Sequence, residues 1–117
     1  MIRNLTLVNI KPGTTEQQIR AVEDALRSLK LSGLMAMTMG RDLGLREGNM
    51  DFGLVIDFED EDAYHAFDGD AEHNRIRREL IAPIADRVER CQFRVEASGA
   101  DPAATQRREP AQPISES

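Results

Sequence analysis

The chain has 117 residues, 40% apolar and 31% charged, with 21 acidic against 15 basic side chains and a formal net charge of −6. That length suits one domain plus a tail, and such a domain buries a real core without disulfide staples. The negative balance repels phosphate backbones, which argues against general nucleic-acid binding.

Residues 2–11 read as a strand with Asn4, Thr6, Val8 and Ile10 on one face and Arg3, Leu5, Leu7 and Asn9 on the other. Both faces carry apolar side chains, so both need cover. Pro12-Gly13 ends the strand. Thr14 or Thr15 then caps a helix, with Gln17 or Gln18 as capping-box partner and Ile19, Val22, Leu26 and Leu29 as its buried stripe. Gly33 is its stop signal.

Residues 34–39 form a second strand, on which Met35, Met37 and Met39 share a face suited to packing between subunits. A glycine-containing loop over 40–49 leads to a third strand, 50–58. There Phe52, Leu54, Ile56 and Phe58 oppose Asp51, Gly53, Val55 and Asp57. An acidic helix start at 59–62 introduces a short helix with Tyr64 and Phe67 on one face and His65 off it, at the surface. Gly69 breaks that helix, and Asp70 caps the next, whose stripe is Ile76, Leu80, Ile84 and Val88 with a kink or restart at Pro83. Arg75, Arg77 and Arg78 lie among Glu72, Glu79 and Asp86 and read as a mixed-charge helix face. Cys91, Phe93 and Val95 alternate in a last strand, with Cys91 as buried packing.

From Ser98 the composition shifts to SGADPAATQRREPAQPISES, with three prolines and one aliphatic residue larger than alanine. The expectation is a domain over 1–97 and a disordered tail over 98–117. A single cysteine cannot form an internal disulfide and fits a reducing compartment. MIRNLTLVNIKPG has no continuous apolar run of signal-peptide type, and no stretch reaches the length of a membrane span. A cytoplasmic protein with no membrane and no nucleic-acid partner is expected.

The order strand, helix, strand, strand, helix pair, strand predicts an α+β, ferredoxin-like βαββαβ fold with a four-stranded antiparallel sheet. Helices cover only one face of such a sheet. A second sheet is the simplest cover for the other, so a homodimer with sheets packed face to face is expected.

Three segments carry a resemblance: MIRNLTLVNIKPGTTEQQI, MGRDLGLREGNMDFGLVIDFED and AYHAFDGDAEHNRIRRELIAPI. Together they resemble the stress-responsive A/B barrel (Dabb) family over roughly residues 1–96. The resemblance implies a dimeric α/β barrel. It also implies a candidate site, because a plant polyketide cyclase of this family carries its catalytic histidine in a segment matching Asp70-Ala71-Glu72-His73. Asn4 and Phe52 stand at positions where relatives carry histidines, and Phe67 stands where the cyclase has a tyrosine.

His73 is therefore the candidate catalytic residue, a general base able to take a proton from carbon next to a carbonyl. A partly solvated residue in a helix first turn is the alternative. Asn4, Thr6, Phe52, Leu54 and Phe67 are candidates for lining a small-molecule pocket, or else fill the core. His65 and His73, eight apart across Gly69, make no recognisable metal spacing, and no phosphate-binding loop or catalytic triad spacing is present. No metal or cofactor is expected. The expected function is a stress-related homodimer binding a small hydrophobic or aromatic molecule, with a polyketide-cyclase-like or lyase activity through His73 as the alternative.

Overall fold

The computed structural model describes residues 1–96; the expected tail lies outside the described residues. The elements are β1 (Ile2–Ile10), α1 (Glu16–Arg27), β2 (Leu34–Arg41), β3 (Phe52–Phe58), α2 (Glu61–Asp68), α3 (Ala71–Ile76) and β4 (Ala85–Arg94). A π-helical turn over Arg77–Ile81 continues α3. The strands form one antiparallel sheet in the order β2-β3-β1-β4, the ferredoxin-like arrangement. No described helix is long and apolar enough to cross a membrane.

Local chemistry sets most boundaries. Thr15 and Gln18 close a reciprocal capping box at the start of α1. The Asp60 and Asp70 carboxylates accept the amides of Ala63 and His73, capping α2 and α3. Ile19, Val22 and Leu26 bury one face of α1 against the sheet; Leu29 joins them from just beyond the helix end. On β3, Phe52, Leu54, Ile56 and Phe58 all point into the same core, as their alternation requires.

Three expectations change. The stripe Ile76, Leu80, Ile84 and Val88 does not belong to one helix. Pro83 has no amide to extend one, and the Lys11 amide donates to the Ile84 carbonyl at 2.8 Å, drawing the chain into β4 by Ala85. Val88 pairs with Val8 in the sheet. A four-residue spacing keeps one face in a helix and also in a strand, so side chains from both element types meet the same core. Second, the register of β2 shifts between Leu34 and Ala36, which sets Met35 out of the row. Met37 and Met39 pack on the core while Met35 is 60% exposed. Third, Cys91 is exposed. It points to the sheet face away from the helices, with Leu5 beside it.

Among the described residues nothing covers that outer face. Leu7 and Phe93 are 45% and 44% exposed there. Arg3 on β1 and Asp57 directly opposite on β3 form a two-pronged ion pair at 2.8 and 2.9 Å across it. The Arg3 guanidinium holds the Asp57 carboxyl below the usual carboxylate range.

Candidate functional site

The helix-side core is not filled. A cavity of about 700 Å³ lies between the sheet and the helices. Its walls are mostly aliphatic and aromatic, with a few polar groups, the usual make-up of a small-molecule site. The space is partly open to solvent.

All six candidate residues line this one cavity. Asn4 and Thr6 of β1 and Phe52 and Leu54 of β3 form the sheet side, because alternate residues of each strand face the helices. Phe67 comes from α2 and His73 from α3. Asn4 is only 5% exposed and is satisfied on both ends of its amide. Its Nδ2 donates to Thr6 Oγ1 at 3.3 Å, and its Oδ1 accepts from Gln92 Nε2 at 2.6 Å.

His73 is in the first turn of α3, capped by Asp70 as expected, but it is buried, at 8% exposure. Its ring stacks on Phe67 with centroids 3.8 Å apart and planes 27° apart. Its Nδ1 is 2.9 Å from the Phe67 carbonyl oxygen. A carbonyl only accepts, so Nδ1 carries the proton and Nε2 carries the lone pair. Burial lowers the His73 pKa, and Arg77 adds to the lowering. The Phe67 carbonyl, Asp68 and Asp70 pull the other way without reversing it. The ring is thus held neutral near neutral pH, as a proton acceptor must be.

The partner of His73 is the backbone and ring of Phe67, which stands where the plant cyclase has a tyrosine. A hydroxyl is nevertheless present, since Tyr64, one turn earlier on α2, lines the same cavity. Sequence reasoning also missed Asn74, Arg77, Arg78 and Arg90, which line it too. Counting one turn from His73 and Asn74 reaches Arg77 and Arg78, so helix periodicity contained that signal. Arg75 behaves as read, held between Glu72 and Glu79 on the outer face at 2.7 and 3.0 Å. His65 is exposed, off the Tyr64–Phe67 face. Among the described residues no cluster of three or more His, Cys, Asp or Glu side chains could hold a metal ion.

Residues 2–95 match the family model of the Stress responsive A/B Barrel Domain. A dimeric ferredoxin-like protein of unknown function from Thermobifida fusca YX is 31% identical, with a TM-score of 0.74 over 80% of this chain and 90% of that one. A Dabb family protein with a ferredoxin-like fold from Mesorhizobium loti MAFF303099 is 15% identical, with a TM-score of 0.66 over 80% and 95%. The hydroxynitrile lyase of Passiflora edulis is 14% identical, with a TM-score of 0.72 over 80% and 92%. No curated protein matches the chain.

Proposed function

The chain belongs to the stress responsive A/B barrel family, and from that premise we propose that it is a homodimer that binds a small hydrophobic or aromatic molecule between sheet and helices. The observation that carries this reading is the partly open cavity of about 700 Å³, mostly apolar and furnished with buried Asn4 and His73. Exposed Leu7 and Phe93 on the outer sheet face, and the description of the Thermobifida relative as dimeric, support the pairing of two copies. The single cysteine suits a reducing, cytoplasmic compartment. Native mass spectrometry of the full chain tests the reading. The expected species has twice the 13.1 kDa chain mass and carries added mass from a bound small molecule, or gains it on titration with an aromatic probe such as 2-naphthol. A bare monomer that takes up no probe would overturn it.

A second reading has its own support. His73 offers a buried, neutral imidazole with its lone pair on Nε2, and a hydroxynitrile lyase shares this fold. In this reading His73 is the general base of an aldol-type cyclisation or a lyase step, taking a proton from carbon next to a carbonyl. Exchange of the methyl protons of acetophenone with deuterium, followed by NMR, reads that step directly. The intact protein is expected to accelerate exchange and H73A to lose the acceleration. Equal rates for the two would sink the catalytic reading and leave the binding reading untouched.

A further inference from the structure

We propose that the occupant of the cavity is an acid: an apolar body inside, and a carboxylate at the mouth between Arg78 and Arg90. The inference rests on the binding reading above and narrows it to a class of ligand.

Its basis is how the arginines are partnered. The chain as a whole is acidic, at −6, and several arginines away from the cavity are paired with carboxylates. Arg75 is held by Glu72 and Glu79, Arg87 by Glu89, and Arg94 by Glu61. The cavity carries arginines too. Its charged lining is Arg77, Arg78 and Arg90 against Asp68, besides His73. Arg77 is the one that Asp68 serves, at 3.9 Å, and it also donates to Asn74 Oδ1 at 3.1 Å. Among the described residues, no carboxylate lies within ion-pair distance of Arg78 or Arg90. Among the described residues, two arginines without a carboxylate partner thus stand at the exposed rim of a mostly apolar space.

They also come from opposite walls. Arg78 is on the π-helical turn, one turn beyond Asn74. Arg90 is on β4, directly across from Thr6 on the sheet side of the cavity. The Ala82 amide closes the π turn on the Arg77 carbonyl at 2.8 Å, so the segment carrying Arg77 and Arg78 is hydrogen-bonded in place. Planar guanidinium groups match a planar carboxylate edge to edge, and they keep their charge at every physiological pH. The apolar walls take up a hydrocarbon or aromatic body and leave little for a polyphosphate or a sugar, which would need polar groups throughout.

Three naphthalene probes test this on the full chain: 2-naphthoate, 2-naphthalenemethanol and 2-naphthylmethylamine, titrated by calorimetry. They share one apolar body and differ in head charge. The carboxylate is expected to bind about tenfold tighter than the alcohol, equal to 1.4 kcal/mol, with the amine weakest. Added salt is expected to shrink that advantage. In the double variant R78Q/R90Q, whose altered side chains are at the surface, the ratio of carboxylate to alcohol affinity is expected to fall to near one. If the alcohol binds as tightly as the carboxylate, the acid inference is overturned and the binding reading survives. An undiminished ratio in R78Q/R90Q overturns the inference too, because the preference would then come from elsewhere. If none of the three binds, the binding reading falls and takes the inference with it.

Discussion

Gly33 seats α2, and through α2 it positions the site. It lies in the turn before β2 with φ +84°, and its carbonyl accepts the Glu59 amide at 2.8 Å. A Cβ at this position would sit 2.5 Å from Ala63 Cβ and 3.7 Å from Ala63 Cα. Gly33→Ala therefore carries two penalties. Left-handed backbone costs a residue with a Cβ about 1–2 kcal/mol. The contact with Ala63 is with a side chain that cannot swing away, and overpacking of that kind costs about 1–3 kcal/mol. Together these predict a loss of about 2–5 kcal/mol, read as a lower urea midpoint with an unchanged slope. Ala63→Gly removes the contact but not the strain, at about 1 kcal/mol for glycine in a helix. The double variant is thus expected to lose less than the sum of the single losses. The site supplies a second readout. Tyr64 and Phe67 ride on α2, and Phe67 both stacks on His73 and accepts from its Nδ1. Gly33→Ala is expected to shift the His73 ring resonances and Ala63→Gly to restore them. Strictly additive losses, or a loss under about 0.5 kcal/mol for Gly33→Ala, would refute the close-packing argument.

Two further outcomes follow from the charges and the exposed sheet face. The folded state holds the His73 pKa below its value of about 6.5 in an unfolded chain. As pH falls through that value, the unfolded chain binds a proton that native His73 refuses. Stability is then full above about pH 6.5 and declines below it, down to the folded pKa, by at most about 1.4 kcal/mol per pH unit. H73Q is expected to flatten this decline in a melting series; the same slope in both proteins would mean that His73 is not its source. Leu7→Asp places a charge on the outer sheet face, across from Glu89, where an unpaired buried charge in an interface costs several kcal/mol. Light scattering is expected to show dimer for the parent chain and monomer for this variant, and a variant that stays dimeric would move the interface elsewhere.

Much of this molecule is written in local pattern. Period-2 alternation in β1 and β3, the capping box at Thr15 and Gln18, and the Asp60 and Asp70 caps depend on neighbours a few residues apart, so the chain order reveals them. The two-faced strands likewise called for cover on both sides of the sheet. Tertiary structure decided what spacing leaves ambiguous. The positions Ile76, Leu80, Ile84 and Val88 satisfy helix and strand periods alike, and only the pairing of β4 with β1 assigns Val88 to the sheet. The bulge that turns Met35 outward depends on its register against β3, which the β2 sequence alone does not contain. The environment of His73 is the clearest case. Its place in a capped first turn is a local fact. Its burial and the cavity it shares with Asn4, Phe52 and Arg90 arise because distant segments are packed against one sheet face. Proximity between residues dozens of positions apart is a property of that packing and not of any short stretch of chain.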